Sequence, residues 1–307
     1  MNPAPKVWLA GARPRTLQAA VVPVVVGTAA GYLSSGRLVV TTAQISCACH
    51  ATVCTSFDRS VSWLNALLAL IVALGIQIGT NYVNDYADGL RGTDEVRVGP
   101  VRLVAGIAGL LLAARVTWWF LPVGLVCAAA GWAYTGGPRP YGYLGFGELF
   151  VFIFFGLVAT AGSAYVQHAP FAISVGGHLF HYDYDWGFVL WCGVPVGLLA
   201  AALLQANNLR DVETDRAVGK RTLAVRLGRK NAGLLYCITL MAAALSIGVL
   251  HNYRAWSLLA LLALPLSFSP VRLALGKGSG RSLLPMLGAT ARLQMAVGAL
   301  LTIGLLL

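Results

Sequence analysis

Charged side chains are scarce in this chain, and acidic side chains are the scarcest of them. Only 11% of the 307 residues are charged, 58% are hydrophobic, and the mean hydropathy is +0.73. Soluble domains carry about 25% charged residues, so this composition excludes a soluble domain and predicts an integral membrane protein.

Cysteine and histidine are also few, with six and five residues respectively. Four of these residues lie close together in the segment Ser34–Ser62, namely Cys47, Cys49, His50 and Cys54. Their spacing matches no standard zinc site. We interpret the segment as a variable loop, with a disulfide as the alternative if the loop faces an oxidising compartment.

Long apolar runs predict about nine membrane helices, since about 20 apolar residues cross a bilayer core. The first run exceeds the ~7–15 apolar residues of a secretory signal, so we expect it to be retained. The candidate spans are Leu17–Leu33, Trp63–Asn84, Leu103–Arg115, Thr117–Tyr134, Gly147–Val166, Gly187–Ala206, Ala232–Leu250, Trp256–Arg272 and Leu284–Leu307. The third span is too short to cross unaided, so eight crossings plus a half-helix is an alternative. The predicted fold is an all-α polytopic bundle, formed by residues 1–307 as one domain.

Basic residues outnumber acidic ones by 22 to 11, which gives a net charge of +11. They lie in short loops between apolar runs, a placement that argues against a nucleic-acid partner. With the N-terminus inside, 17 of the 22 fall on the inner side, in agreement with the charge bias that orients membrane proteins. The pattern predicts a multi-pass protein of the cell membrane with a cytoplasmic N-terminus.

The few acidic residues gather in two segments, Asp85–Glu95 and Asp211–Asp215, each at the end of an inward-running helix. Both segments are therefore expected on the cytoplasmic face. Two similar units, each a helix ending in an Asn/Asp-rich segment, suggest two related units of about four helices. Such repeats often place a substrate site at their interface.

In the first acidic segment, a helix turning about 100° per residue brings four polar side chains within about a 100° arc. These are Asn81, Asn84, Asp85 and Asp88. The glycines at positions 89 and 92 permit a turn that returns Asp94 toward the same point. The polar stripe therefore offers several oxygen ligands at the end of an apolar helix.

In the second acidic segment, Asn207, Asp211 and Asp215 are four residues apart and share about 80° of a helix surface, whereas Glu213 faces away. Carboxylates in this arrangement, facing a second set across the bundle, suit Mg²⁺, which completes its coordination with water and phosphate oxygens. Basic side chains that suit a diphosphate lie beside them, at Arg210, Arg216, Lys220 and Arg221. Helix capping alone explains one such cluster, but not two on one membrane face.

A third segment, YTGGPRPYGYLGFGE from Tyr134 to Glu148, is a loop shaped by Gly and Pro on the same face. Its tyrosines have aromatic faces that stabilise a developing carbocation. Tyrosines also lie at membrane interfaces for ordinary reasons, and the sequence leaves both interpretations open.

The segments NDYADGLRGTD and NNLRDVETDRAVGKRTLAVRLG resemble the two Asp-rich motifs of the UbiA superfamily of intramembrane prenyltransferases. The loop YTGGPRPYGYLGFGE, the spacing through GTD and the N-terminal ARPRTL resemble its 1,4-dihydroxy-2-naphthoate polyprenyltransferase branch. The resemblance implies nine membrane helices around a cavity open to lipid. It also implies Mg²⁺-dependent transfer of a polyprenyl group from its diphosphate to the naphthoate, with loss of CO2, giving demethylmenaquinone.

The resemblance also implies roles for individual residues. The metal and diphosphate ligands would be Asn84, Asp85, Asp88 and Asp94, with Asn207 or Asn208, Asp211 and Asp215. The diphosphate would be held by Arg91, Arg210, Lys220 and Arg221. The aromatic acceptor or the prenyl chain would contact Asn81, Tyr134, Arg139, Tyr141 and Tyr143.

Two groups of alternatives remain. Within the family, the acceptor could be 4-hydroxybenzoate, homogentisate or haem, and the loop favours the naphthoate. From another class, an ion-coupled transporter uses intramembrane carboxylates, but it would place them near the bilayer midplane rather than at helix ends beside basic residues.

Overall fold

The protein was analysed as a computed structural model that describes residues 14–34, 37–40, 55–58, 61–89, 101–135, 140–167, 172–175, 178–181 and 184–307. Among the predicted site residues, Arg91, Asp94 and Arg139 lie outside this part of the chain, as do the side chains of Asn84, Asp85 and Asp88. Most of the loop between the first two long helices also lies outside it.

Helices dominate the described chain, which confirms the predicted helical membrane architecture. They are α1 (Gln18–Ser34), α2 (Trp63–Gly89), α3 (Val101–Arg115), α4 (Phe120–Thr135), α5 (Gly147–Tyr165), α6 (Trp186–Arg210), α7 (Val212–Ala217), α8 (Leu223–Leu250), α9 (Ala255–Leu275) and α10 (Leu284–Leu306). Short 3-10 turns occur at Pro14–Thr16, Tyr141–Leu144 and Gly280–Leu283. Six of the described helical segments are long and apolar enough to cross a membrane, and α1, α3 and α4 are shorter apolar helices.

Two antiparallel hairpins depart from the all-α expectation. Strands β1 (Arg37–Val40) and β2 (Thr55–Asp58) pair between α1 and α2, and β3 (Ala172–Val175) and β4 (His178–His181) pair between α5 and α6. Both hairpins lie in connections between membrane helices. Each strand is only four residues long, so its sequence shows no clear strand pattern. They leave the helical bundle itself unchanged.

The segment Leu223–Leu250, which forms α8, is kinked at Gly228 (φ 75°, ψ 165°), so a short helical stretch over residues 223–227 precedes the long helix that contains the predicted span from Ala232. The sequence interpretation assigned its basic residues to a loop, but the hydroxyl of Thr222 caps the helix by accepting from the amide of Val225 at 3.4 Å. The basic side chain of Arg229 then donates to four carbonyls at the C-terminal end of α9 and beyond, at 2.6–3.0 Å. A positive charge at a helix C-terminus is stabilising, so Arg229 has a structural role.

The tightly packed core lies in the second half of the chain, where α6, α8, α9 and α10 pack with α1 and the end of α5. Helices α2, α3 and α4 instead surround a cavity. Tryptophans such as Trp63, Trp118 and Trp119 are exposed at the end of the bundle where α2 begins and α3 ends. Exposed aromatic side chains at this level suit a membrane interface.

The chain connections sort into two ends of the bundle. At one end Asn81 of α2 contacts Thr16 before α1, Gly131 of α4 approaches Thr80 of α2, and the α4–α5 turn contacts the α6–α8 connection. At the opposite end Asn65, near the start of α2, donates to the carbonyl of Val166 after α5 at 2.7 Å. Helices α2 and α6, which lead into the two acidic segments, therefore both end at the side of the bundle where Asn81 contacts Thr16. We call this side the motif end.

Helices α5 and α6 cross in close contact. A Cβ at Gly156, inside the π-helical stretch Phe152–Val158 of α5, would lie 2.4 Å from the Cα of Gly197 in α6. Only glycine permits this approach, and π-helical turns are frequent near functional sites. Residues on both sides of Gly156 line the cavity, so the crossing helps to set the position of the cavity wall.

The substitution Gly156→Ala is expected to lower the free energy of unfolding by about 1–3 kcal/mol, because α5 and α6 must separate to admit the methyl group. Gly162→Ala is the matched control on the same helix, since a Cβ there meets no atom within 4 Å. The measurement is the thermal unfolding midpoint of both variants in detergent. Equal midpoints for the two variants would contradict the close crossing.

Candidate functional site

The second acidic segment lies where α6 ends and α7 begins. The expectation of one continuous helix through Asp215 is wrong, because Asp211 leaves helical geometry (φ −95°, ψ 7°) and a new helix starts at Val212. The Asp211 carbonyl accepts from the Asp215 amide at 2.8 Å and from the Thr214 hydroxyl at 2.9 Å. Threonine hydroxyls that bond back in this way bend helices. The Asp211 amide still donates to the Asn207 carbonyl at 3.1 Å, so the four-residue repeat survives the break.

Asp211 and Asp215 each have a basic partner. Arg210 donates through Nε to Asp211 Oδ1 at 2.6 Å and through Nη2 to Oδ2, a two-point pair. Lys220 Nζ lies 3.9 Å from Asp215 Oδ1. The four side chains are 13–29% exposed, so solvent screens their charges only in part. Glu213 is exposed to solvent, in agreement with its expected position away from the site.

The turn Tyr141–Leu144 joins the predicted acceptor loop to this segment. The Arg221 amide donates to the Tyr143 carbonyl at 3.0 Å, and Lys220 Nζ lies 4.8 Å from the centroid of the Tyr143 ring. Gly145 ends the turn with φ 83°, a left-handed conformation that glycine adopts without strain. The structure therefore brings Tyr143 to the basic residues predicted for the diphosphate.

A buried polar pair connects α5 to the last turn of α6. Asn208 Nδ2 donates to Glu148 Oε1 at 2.9 Å, and both side chains are 8% exposed. The second carboxylate oxygen of Glu148 is buried without a hydrogen-bond partner among the described residues. The bond to Glu148 uses the amide nitrogen of Asn208, whereas a cation would take the amide oxygen, so Asn207 and Asn208 both stay candidates for a ligand.

Asn81 lies in a buried network at the end of α2. Its Nδ2 donates to the Thr16 hydroxyl at 3.1 Å, and its Oδ1 accepts from Gln77 Nε2 at 3.2 Å. These contacts attach the start of the chain to the α2 helix one turn before Asn84 and Asp85. Asn81 thus supports the first acidic segment, whereas its predicted contact with a substrate stays a prediction.

An apolar cavity of about 640 Å³ opens between α2, α3, α4 and α5. Along α2 its wall runs from Ala69 to Thr80, about 16 Å at 1.5 Å per residue. The α2 backbone then continues as a helix to Gly89, so positions 85 and 88 of the first acidic segment lie beyond the end of the cavity wall. The cavity therefore extends from the motif end along the length of the bundle.

Two of the predicted tyrosines line this cavity. Tyr141 stacks on Phe150 with ring centroids 3.9 Å apart, and Tyr134 meets Tyr141 edge-on at 5.5 Å. The Tyr141 hydroxyl donates to the Ala130 carbonyl at 2.8 Å, and burial raises the pKa of Tyr141 to about 12. This phenol therefore stays protonated at neutral pH and forms part of an aromatic wall.

Tyr141 and Tyr143 separate because residues two apart in a 3-10 turn point about 120° from each other. Tyr141 faces the cavity, whereas Tyr143 faces Lys220. The turn is therefore a short bridge between an apolar chamber and a cluster of charges.

The carboxylates suit a divalent cation in their chemistry, since Mg²⁺ takes one or two carboxylates along with water and phosphate oxygens. Asp211 and Asp215 are the described pair. In the part of the chain that the structure describes, no group of three or more His, Cys, Asp or Glu side chains comes together. The donor set is therefore half of the predicted one, and the remainder would come from α2 and the residues after it.

Sequence reasoning missed Gln77, Thr16 and the pairing role of Glu148. Gln77 had a usable signal, because it lies four residues before Asn81 and so continues the same polar stripe. Glu148 is the single acid of its glycine-rich loop, at the start of an apolar helix. Its partner on α6 is 60 residues away, a distance that no local pattern covers.

Comparisons with known proteins agree with these features. The sequence matches the UbiA prenyltransferase family over residues 45–282. It is 42% identical to the 1,4-dihydroxy-2-naphthoate octaprenyltransferase of Mycobacterium tuberculosis, and the alignment covers 97% of this chain and 96% of that protein.

Two solved structures share the fold. One is the apo form of a UbiA homologue from Aeropyrum pernix K1, with a TM-score of 0.60 and 15% identity over 92% of this chain and 96% of that chain. The other is a UbiA homologue from Archaeoglobus fulgidus bound to DMAPP and Mg²⁺, with a TM-score of 0.51 and 16% identity over 96% and 99% of the two chains. At these identities the likeness shows the fold alone.

The substitution Glu148→Leu is expected to lower the free energy of unfolding by about 1–3 kcal/mol, because it leaves the buried amide of Asn208 unpaired. Glu148→Gln keeps an acceptor oxygen for Asn208 and is expected to stay closer to the wild type. Unfolding midpoints in detergent check both values. If Glu148→Leu unfolded at the wild-type midpoint, the buried pair would have no part in fixing the end of α6.

Proposed function

This chain belongs to the UbiA prenyltransferase family, and from that premise we propose that it prenylates 1,4-dihydroxy-2-naphthoate. A polyprenyl group is transferred from polyprenyl diphosphate to the naphthoate ring, diphosphate and CO2 leave, and the product is demethylmenaquinol, the reduced form of demethylmenaquinone. The observation that carries the proposal is the connection of a charged cluster to an apolar, aromatic-walled cavity through the turn Tyr141–Leu144. The name of the M. tuberculosis relative supports the choice of acceptor.

The divalent cation is assigned to the carboxylates of both acidic segments. Asp211 and Asp215, with Asn207 or Asn208, form one half, and we propose Asn84, Asp85, Asp88 and Asp94 for the other. Bound Mg²⁺ would supply the positive charge that makes diphosphate a good leaving group. The A. fulgidus homologue binds Mg²⁺ and DMAPP, which supports a cation and a prenyl diphosphate here.

The basic residues have two successive partners in this proposal. Without substrate, Arg210 and Lys220 neutralise Asp211 and Asp215. With a cation on the carboxylates, the same bases would be available to the diphosphate oxygens, and Arg221 and Arg91 would add further charge. The positive charges that would stabilise the leaving diphosphate thus already lie beside the two carboxylates.

The cavity receives the polyprenyl chain. Its wall of small and aromatic residues excludes water from the allylic cation, and ring faces such as those of Tyr134 and Tyr141 stabilise positive charge. Arg139, in the same loop, is proposed to contact the carboxylate of the acceptor.

The same proposal covers the membrane arrangement. We propose nine membrane helices in one domain over residues 1–307, arranged as two related four-helix units that begin with α2 and α6. The excess of basic residues in the connections at the motif end supports a cytoplasmic location of that end in the cell membrane. The contacts across α1, α5 and α6 support a single domain.

Membranes containing the chain are expected to form a prenylated naphthoquinol from dihydroxynaphthoate and a polyprenyl diphosphate only when Mg²⁺ is present. The variants Asp211→Asn and Asp215→Asn should lower turnover by about 100-fold or more, since metal-assisted charge stabilisation contributes several kcal/mol. Product formation is followed by extraction and chromatography.

Glu213→Gln is the matched control, because Glu213 is exposed in the same segment and has no assigned role. It should retain wild-type turnover. Product from 4-hydroxybenzoate but not from the naphthoate would assign another acceptor. Full turnover in both Asp variants would exclude the proposed cation site.

A further inference from the structure

Tyr143 lies on the charged side of the bridge turn rather than in the cavity. Its ring centroid is 4.8 Å from Lys220 Nζ, well within the ~6 Å limit of a cation–π contact. Lys220 Nζ is also 3.9 Å from Asp215 Oδ1. The ammonium group is therefore held between one carboxylate and one aromatic ring.

We propose that Tyr143 is a positioning residue that holds Lys220 for the diphosphate after Asp215 has been given up to the cation. This inference rests on the proposed function and adds a role for a residue that the sequence assigned to the aromatic acceptor. Tyr143 acts through Lys220 and needs no contact with either substrate.

The two partners of Lys220 affect its charge differently. A carboxylate partner neutralises the ammonium, so it competes with the diphosphate for that charge. An aromatic face attracts the ammonium through its quadrupole and leaves the full positive charge available to a phosphate oxygen. With Asp215 on the cation, the Tyr143 ring would still contact the ammonium group and so restrict the flexible lysine side chain.

A main-chain hydrogen bond fixes the position of the Tyr143 backbone, and this bond does not involve the ring. The Tyr143 carbonyl accepts from the Arg221 amide at 3.0 Å, directly beside Lys220 in the chain. A substitution of the ring leaves this hydrogen bond and the turn intact, because both belong to the main chain. Variants at position 143 therefore test the ring alone.

The test measures binding of inorganic pyrophosphate with Mg²⁺ to the full-length protein in nanodiscs by calorimetry. Tyr143→Leu is expected to raise the dissociation constant about 3- to 30-fold, the range that a cation–π contact supplies. Tyr143→Phe keeps the ring face and should stay within about twofold of the wild type. In a Lys220→Ala background, Tyr143→Leu should cause no further change.

Turnover kinetics supply the second measurement. Tyr143→Leu should raise KM for the polyprenyl diphosphate and leave KM for the naphthoate unchanged. A rise confined to the naphthoate KM would overturn the proposal and return Tyr143 to the acceptor. The proposal would also fail if Tyr143→Leu bound pyrophosphate like the wild type, or weakened it equally in the Lys220→Ala background.

These results are distinguishable from a failure of the proposed function. A wild-type protein that binds pyrophosphate but prenylates no naphthoate would contradict the assigned acceptor, while the binding series would still report on Tyr143. Unfolding midpoints of the wild type and the four variants confirm that they are folded.

Discussion

The structure of the charged site depends on the neutralisation of two carboxylates at the end of a membrane helix. Asp211 and Asp215 are mostly buried, and a buried carboxylate without a partner is costly. Arg210 and Lys220 are the partners of these carboxylates, and all four residues lie within a dozen positions of the sequence. This pairing explains why acidic and basic residues are concentrated in the segment after α6. The same bases are the groups that a diphosphate requires, so one cluster both neutralises the carboxylates and supplies the charge for the proposed substrate.

The bridge turn Tyr141–Leu144 combines two environments that otherwise exclude each other. One face carries Tyr141 into an apolar cavity, and the other carries Tyr143 to Lys220. Glu148, at the start of α5, adds a buried bond to Asn208 and so holds the end of α6 near the turn. A prenyl diphosphate has the same division, since its tail is apolar and its head is highly charged. The fold therefore matches the two halves of the proposed substrate.

Much of this could be predicted from sequence, because the informative signals are local. The family and the membrane class are confirmed. Both could be predicted because the few Asp and Asn residues stand out at the ends of apolar runs. Helix ends such as those of α5 and α10 follow the limits of apolar runs. The short helical stretch before the kink at Gly228, the break at Asp211 and the pairs Glu148–Asn208 and Tyr143–Lys220 could not be predicted. They depend on side chains that meet only after folding, and helical spacing alone places none of them.

The central claim is that Lys220 and the divalent cation compete for Asp215, and one binding measurement tests it directly. Mn²⁺, detected by electron paramagnetic resonance, is titrated without diphosphate into the wild type and into Lys220→Gln. Removal of the partly exposed ion pair should tighten Mn²⁺ binding about two- to fivefold, although the lysine lies beside the site and is not a ligand. Weaker or unchanged Mn²⁺ binding in Lys220→Gln would contradict the exchange of partners on which the account depends.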